Sequence, residues 1–177
     1  DLAKNEAENG NSKFYFKAIN TKENISQTDF NGFAITQHKY SSLFRKGCDR
    51  IQATVDVSTK DGYHLRVFGI GFTERAQNQR KSNCYAKTSQ LNKIRKAMST
   101  KIVESIRNAD IKSVMTKLAD HKINLDMTAA AEKVVPVRDV LIQRVKVVSA
   151  PKYEAQRFDA LYSGNAIDFG KKQEKKE

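Results

Sequence analysis

The clearest pattern in the chain is an alternation of apolar and polar residues that begins at Ile51. Every second residue from Ile51 to Val57 is apolar, which is the period of a half-buried β-strand. Asp61-Gly62 is typical of a two-residue hairpin turn, so Tyr63–Thr73 is the predicted return strand. Counting outward from this turn pairs apolar residues on one face: Ile51 with Phe72, Ala53 with Ile70 and Val55 with Phe68. The other face then carries the glycines of Gly69-Ile-Gly71, which would let another segment or a ligand approach the backbone.

Three further segments have the composition of β-strands. Lys13–Ile19 is rich in aromatic residues, and Phe30–Ile35 follows it with Gly32 as a predicted bulge or bend. Val137–Val148 is apolar enough to be well covered, and Pro151 ends it. We therefore expect strands early in the chain and one late strand that returns to the same sheet.

Helical patterns occupy the region between the hairpin and the late strand. The longest is capped by Ser82 or Asn83 and runs to about Asn108. Its apolar residues recur at steps of three and four and predict a buried stripe: Leu91, Ile94, Met98, Ile102 and Ile106. Asp110 caps a second helix, and Asn124–Lys133 is a third that the following proline ends.

Two shorter helices complete the prediction. Gln37–Arg45 lies between Thr36, which caps it, and Gly47, which can end it. Tyr153–Tyr162 could form another short helix.

These elements predict an α+β fold. We expect an antiparallel sheet or partly closed barrel, with a long basic amphipathic helix and two or three shorter helices. Residues 1–164 form the predicted single domain, and residues 165–177 a charged tail with nothing to bury, which we expect to be disordered. Because the chain begins at Asp1 without a Met, we expect it to be a piece of something longer.

Composition narrows the classes of function. The 177 residues carry a net charge of +12, and only 39% of them are hydrophobic. No apolar run approaches the roughly 18–20 residues of a membrane-spanning helix, and no signal-peptide pattern is present. Cys48 and Cys84 are too few for a disulfide framework and are read as reduced cysteines. A strongly basic surface favours a polyanionic partner, most often nucleic acid.

The positive charge is concentrated in one part of the chain. Residues 61–108 contain ten basic and three acidic side chains, a net of +7. Within them, Arg75–Val103 contains eight basic residues and no acidic residue. A solvated helix face normally mixes both signs, because Glu–Lys pairs stabilise it. The missing acids therefore indicate a surface that faces an anion.

The sequence shows no set of reactive side chains that we expect to form one catalytic site. His38, His64 and His121 belong to separate predicted elements, and Gly69-Ile-Gly71 lacks the third glycine of a dinucleotide-binding motif. Asp56 and Asp61 are too far apart on one hairpin strand to be a convincing pair of ligands for two-metal catalysis. We therefore predict no catalytic residue, no metal, no cofactor and no small-molecule substrate.

Nucleic-acid binding fits the same residues better. The segment 74–87 supplies Arg and Lys, which neutralise phosphates, and Asn, Gln, Ser and Tyr, which position the backbone. A loop that leads into a helix also offers backbone N–H groups to a phosphate. No zinc finger or basic zipper is present, so we expect recognition of shape and backbone, typical of structured RNA.

Three blocks of the sequence resemble one family, the archaeal and eukaryotic small-subunit ribosomal proteins called S-three-A or eukaryotic S-one. The blocks are its hairpin, its basic loop and helix, and its C-terminal strand and extension: Val55–Thr73; Asn78–Lys81 with Tyr85-Ala86 and Gln90–Met98; and Asp139–Lys146 with Pro151–Glu154 and Leu161–Gly164. The resemblance runs from about Asp1 to Gly164 and is loose between Ala119 and Lys133. Family members carry a further basic segment ahead of the position of Asp1, which implies truncation or disorder at the N-terminus and leaves the contacts of that segment undecided.

The resemblance implies a structural ribosomal protein without enzymatic activity. Its partners would be the RNA of the small (40S) subunit, at the platform near the messenger exit region, and neighbouring ribosomal proteins. It would act in translation and subunit assembly, in the cytoplasm and, during assembly, in the nucleolus. The charge pattern and the resemblance together predict these RNA-binding residues: Arg66, Arg75, Asn78, Gln79, Arg80, Lys81, Tyr85, Lys87, Lys93, Arg95 and Lys96.

Two other classes of function stay open at the level of the sequence. One is an RNA-processing enzyme that uses Asp56, and the other is an adaptor that binds an acidic protein or an anionic membrane surface.

Overall fold

A computed structural model describes residues 11–22 and 25–152 of the chain. Along this part of the chain it has five strands and four helices: β1 Ser12–Lys22, β2 Ile25–Ile35, α1 Gln37–Ser42, β3 Arg50–Ser58, β4 His64–Thr73, α2 Thr88–Arg107, α3 Ile111–Ala119, α4 Lys122–Glu132 and β5 Val137–Ser149. The strands form one antiparallel sheet in the order β1-β2-β5-β4-β3. The predicted α+β fold is confirmed, and the sheet is open and not closed into a barrel. The predicted helix at Tyr153–Tyr162 and the tail 165–177 lie outside the described residues.

The last strand, β5, lies at the centre of the sheet, between β2 and β4. Its residues Arg144–Lys146 pair with Gly32–Ala34 of β2, and almost its whole length pairs with β4. Gly32 permits this junction, because a Cβ atom at that position would lie 2.9 Å from the carbonyl oxygen of Val145. A step in the pairing beside Gly32, between Tyr15 and Phe16 of β1, confirms the irregularity predicted there. The late strand therefore joins the early hairpin to β3 and β4.

The β3–β4 hairpin forms, but its predicted register is wrong by one residue. Ile51 pairs with Gly71, Ala53 with Gly69 and Val55 with Val67. The strands are joined by a five-residue loop, in which the backbone N–H of Thr59 donates to the carbonyl of Tyr63 at 2.9 Å.

Asp61 gives the physical reason for this longer loop. Its Oδ2 atom accepts a hydrogen bond of 2.7 Å from the backbone N–H of Ile111, at the start of α3. The residue is only 9% exposed, so it faces inward and does not sit at the tip of a two-residue turn. Gly62, with φ of +85°, completes the loop in the left-handed conformation that glycine adopts without strain.

The corrected register turns Gly69 toward the helices. A Cβ atom on Gly69 would lie 3.3 Å from Cε of Met98, 3.5 Å from Cδ1 of Ile102 and 3.7 Å from Sδ of Met127. Of the two predicted reasons for a glycine here, the close approach of another segment is therefore the correct one. The approaching segments are α2 and α4.

The helices cover one face of the sheet. The predicted stripe of α2 is confirmed, because Ile94, Met98, Ile102 and Ile106 are fully buried and Leu91 packs against the same cluster at half burial. On the other face only one end is covered, where Tyr40 of α1 and Leu43, the residue after the helix, pack against Ile70 and Phe72. The rest of that second face, which we call the open sheet face, is not covered by any described helix.

Two predicted helix boundaries are wrong. Helix α2 begins at Thr88 and not after Ser82 or Asn83, because the residues before it are held by the start of β3. The N–H of Cys84 donates to the carbonyl of Gly47 at 2.7 Å, and the N–H of Ala86 donates to Asp49.

Helix α1 ends earlier than predicted. Thr36 caps it as predicted, but it ends at Ser42 and not at Arg45, because the next residue, Leu43, turns into the small cluster with Phe72. Gly47, with φ of +80°, lies in the turn beyond.

Gly69 supplies a test of the packing between sheet and helices. We expect Gly69→Val to destabilise the fold by about 2 kcal/mol through overpacking, which lowers Tm by about 4–8 °C. Valine has a higher β-propensity than glycine, so a loss of stability would isolate the packing effect. Thr54→Val, on the exposed face of β3, is the control and should change stability by less than about 0.5 kcal/mol. Equal effects of the two substitutions in thermal denaturation would contradict the packing assigned to Gly69.

Candidate nucleic-acid interface

The segment 74–87, which we call the basic loop, is held in shape by its own polar groups. The Nε and Nη2 atoms of Arg75 donate to the carbonyl of Gln79 at 2.9 and 2.7 Å. The side-chain amide of Gln79 donates in turn to the carbonyls of Lys81 and Asn83 at 3.1 and 2.6 Å. Two of the predicted RNA ligands, Arg75 and Gln79, therefore fold the loop back on itself.

Asp49 fixes the C-terminal end of the basic loop to the sheet. Its Oδ2 atom accepts the backbone N–H of Ala86 at 2.8 Å, and its own N–H donates at 2.9 Å to Oγ1 of Thr73, the last residue of β4. Both ends of the loop are thereby tied to one corner of the sheet. The tip has fewer conformations to lose when it binds a ligand.

The tip of the loop and the residues that lead into α2 point outward. Asn78, Arg80, Lys81 and Lys87 are exposed, and Tyr85 is 63% exposed. Lys87 is the residue immediately before α2. Its ammonium group can only donate hydrogen bonds, so it cannot cap the backbone N–H groups of the first helical turn. The structure therefore exposes these five predicted residues, all of which lie within positions 78–87.

Helix α2 continues this surface. Lys93 and Lys96 are exposed and three residues apart, so they are neighbours on the helix, whereas Arg95 is half-buried and donates to Oδ1 of Asn92 at 2.6 Å. In residues 11–22 and 25–152, no ion pair involves Lys93, Lys96 or the cations of the loop. We call the exposed cations of the basic loop and α2 the loop–helix surface.

Arg66, the remaining predicted residue, lies elsewhere. It is on the open sheet face, where its guanidinium donates to both carboxylate oxygens of Asp56 at 2.7 and 2.8 Å. These hydrogen bonds lower the pKa of Asp56 below its usual range and raise the pKa of Arg66. Arg66 therefore presents a partly neutralised charge, and Asp56 is occupied by an arginine.

Two basic residues beside Arg66 were missed by the sequence analysis. Lys146 of β5 pairs directly with Arg66, and Arg144 pairs with Phe68, so all of these side chains share the open sheet face. The ammonium group of Lys146 lies 5.8 Å from the centre of the Phe68 ring, within the range of a cation–π interaction. The signal was present in the sequence, because exposed Arg144 and Lys146 flank the buried Val145 with the period of a strand.

Catalytic groupings are not found in the described part of the chain. Within residues 11–22 and 25–152, no three His, Cys, Asp or Glu side chains are grouped to hold a metal ion. His64 contacts Ser58 on the open sheet face, and His121 contacts Asn124 at the start of α4. None of the helices described is long and apolar enough to span a membrane.

An α+β domain with an open sheet, and with eight basic and no acidic residues between Arg75 and Val103, has the charge distribution that is typical of nucleic-acid-binding proteins. Comparison with known families agrees with this class. The sequence profile of the Ribosomal S3Ae family matches residues 1–151, so the chain belongs to the ribosomal S3Ae family. The family resemblance found in the sequence is confirmed.

Three relatives share one name, small ribosomal subunit protein eS1. The protein of Plasmodium falciparum is 39% identical over 144 residues, which cover 81% of this chain and 55% of the relative. That of Triatoma infestans is 37% identical over 157 residues, 89% of this chain and 60% of the relative. That of Drosophila virilis is 35% identical over 150 residues, 85% of this chain and 56% of the relative. The chain spans somewhat over half the length of these relatives.

The Asp56–Arg66 pair makes a prediction about pH. Asp56 should titrate at a lower pH than an ordinary aspartate, and Arg66→Ala should return its pKa to the usual range. Because the folded-state pKa is lowered, the pair contributes stability above the ordinary carboxyl pKa and loses it as pH falls through the lowered value. The contribution is small, since both side chains are about half exposed. A carboxyl titration followed by NMR measures the shift, and an unchanged Asp56 pKa in Arg66→Ala would contradict the pairing.

Proposed function

We propose that this chain is a structural constituent of the small ribosomal subunit and binds ribosomal RNA through the loop–helix surface. The observation that supports the RNA contact most directly is a set of exposed cations that form no ion pair with any described residue: Arg80, Lys81, Lys87, Lys93 and Lys96. The names of the relatives support the assignment to the small subunit. Neither line of support involves a catalytic group, so the proposed role is structural.

The geometry of the surface suits a phosphate backbone. Arg80 and Lys81 are adjacent at the tip of a loop whose ends are fixed. Lys93 and Lys96 lie on one helix face, where Cβ atoms three residues apart are separated by about 5–6 Å. An arginine can bind a phosphate with two hydrogen bonds, whereas a lysine acts as a point charge. Asn78 and Tyr85 supply neutral polar groups beside these cations. Such a surface reads the position of phosphates and not the identity of bases.

The open sheet face is the proposed secondary contact. Arg66, Arg144 and Lys146 supply positive charge there, and Phe68 supplies an aromatic ring among them. Arg66 must give up or share Asp56 to bind a phosphate. We therefore rank this face below the loop–helix surface.

The family membership supports the finer parts of the proposal. We place the contact at the platform of the small subunit, near the messenger exit region, with neighbouring ribosomal proteins as further partners. The protein would act in translation and subunit assembly, in cytoplasmic ribosomes and, during assembly, in the nucleolus. The domain limits 1–164 and the tail 165–177 stay predictions.

The dependence of RNA affinity on salt tests the loop–helix surface. Arg80→Ala with Lys81→Ala should weaken binding to small-subunit RNA and reduce the slope of log K against log salt by about one to two units. The matched control is Lys60→Ala with Arg107→Ala, which also removes one lysine and one arginine, both exposed. Arg107 ends the 20-residue helix α2 and Lys60 donates its N–H to the carbonyl of nearby Ala109, so both lie at the end of α2 opposite to the loop.

The outcome separates the two surfaces. If the loop variant and the Lys60/Arg107 control lost the same amount of the salt slope, the effect would depend on net charge alone. That result would contradict a localised site. Arg144→Ala with Lys146→Ala should give a smaller loss than the loop variant. A larger loss would reverse the ranking of the two surfaces.

Cosedimentation tests the assignment to the ribosome. Tagged full-length protein from the source cells should travel with small subunits through a sucrose gradient and remain bound at high salt, because many phosphate contacts act together with protein neighbours. The large subunit in the same gradient is the control. Release at low salt, or equal binding to both subunits, would contradict the proposal.

A further inference from the structure

Cys48 and Cys84, which are 36 positions apart in the sequence, are brought together by the fold. They face each other in an isolated parallel bridge between the segment before β3 and the end of the basic loop. The backbone N–H of Cys84 donates to the carbonyl of Gly47 at 2.7 Å, which fixes this contact. Neighbouring strands lie about 4.8 Å apart, and a disulfide needs Cα atoms about 4.4–6.8 Å apart. The two backbones are therefore already at disulfide distance.

The two thiols are also close enough to interact. Both are free and half-buried, and the Cys84 thiol donates to the backbone carbonyl of Ser82 at 3.7 Å. Partial burial and the neighbouring sulfur of Cys48 raise the pKa of Cys84, while Arg75 and Arg138 oppose the increase in part. Cys84 thus lies beside a second sulfur, and the two arginines offset only part of the rise in its pKa.

We propose that Cys48 and Cys84 are a redox-modification site, at which a peroxide converts the two thiols into an intramolecular disulfide. The disulfide would staple the end of the basic loop to the segment that leads into β3. It adds a covalent link to the anchor that Asp49 already makes to Ala86. In a reducing compartment the link would be transient and would report oxidative conditions.

The reaction balances with hydrogen peroxide as the only oxidant. The thiolate sulfur of one cysteine attacks a peroxide oxygen, the O–O bond breaks, and a sulfenic acid and hydroxide form. The hydroxide takes up the proton that the thiol had released and becomes water. The sulfur of the second cysteine then attacks the sulfenic sulfur, an S–S bond forms, and the S–O bond breaks. The departing hydroxide takes the proton of the second thiol. Two thiols and one peroxide give one disulfide and two waters.

The position of the bridge predicts its effect. It would close a chain segment that contains the β3–β4 hairpin and nearly all of the basic loop. Closing a segment of this length restricts the unfolded chain, and we expect Tm to rise by about 5–10 °C on oxidation. The native contact already holds the two backbones together, so the fold should change little.

The test uses the full chain treated with hydrogen peroxide at low protein concentration. We expect both thiols to be lost together, in a monomer whose intact mass falls by two hydrogen atoms and is restored by dithiothreitol. The raised pKa of Cys84 lowers its thiolate fraction at neutral pH, so the reaction should accelerate as pH rises. Peptide mapping should recover Cys48 linked to Cys84.

Single serine variants are the controls. Cys48→Ser and Cys84→Ser should each stop at a sulfenic acid or form dimers, without the rise in Tm. Thiols of the wild-type chain that react independently, or that give only intermolecular dimers, would overturn the proposal. These readouts need no RNA, so the result stands apart from the proposed function.

Discussion

The insertion of β5 between β2 and β4 is the constraint on which the rest of the structure depends. Gly32 permits the junction with β2, because no side chain other than hydrogen fits against the carbonyl of Val145. One side of β5 supplies Val140, Ile142 and Val145 to the core. The other side places Arg144 and Lys146 on the open sheet face. A single strand therefore completes the sheet, closes the core under the helices and puts charge on the outer surface.

The pairings of β5 with β2 and β4 also join the residues of the sheet that are most distant in sequence. Local contacts join β1 to β2 and β3 to β4, whereas β5 must return across α2, α3 and α4 before it can pair. Non-local pairing of this kind loses the entropy of loop closure before the new contacts can stabilise the fold, and such topologies fold slowly. A partner that binds the completed sheet or the adjoining loop would stabilise the native state by mass action.

Sequence periodicity was sufficient to predict an element correctly where a local pattern determines its structure. The stripe of α2 was correct residue by residue, because the helical period leaves only one face for Ile94, Met98 and Ile102. The hairpin register was wrong because Asp61, a common turn residue, bonds instead to the N–H of Ile111 fifty positions later. The start of α2 was wrong for a similar reason, since Asp49 holds Ala86 in an extended segment. Contacts that are distant in sequence override local propensity at both places.

In the candidate site, too, the local sequence predicts some features, whereas others depend on the fold. A count of charges found the basic loop, because the stretch Arg75–Val103 contains eight basic residues and no acidic residue. It missed Arg144 and Lys146, because the C-terminal segment 137–177 contains six acids that mask them in a sum. It could not assign roles within the loop, where Gln79 holds carbonyl groups and Arg80 points outward. Charge identifies the segment, and only the fold distinguishes the residues that shape it from those that face a ligand.

The two basic surfaces differ in what they lose when an anion binds. Arg80, Lys81 and Lys87 give up only water and counterions, so each phosphate contact there gains the full entropy of counterion release. Arg66 already makes a bidentate pair with Asp56, and a phosphate must displace or share that carboxylate. The exchange gains little affinity, and it leaves a negative charge beside the bound phosphate. The loop–helix surface should therefore carry the affinity, while the open sheet face admits only ligands whose shape brings a phosphate to Arg66 without crowding Asp56.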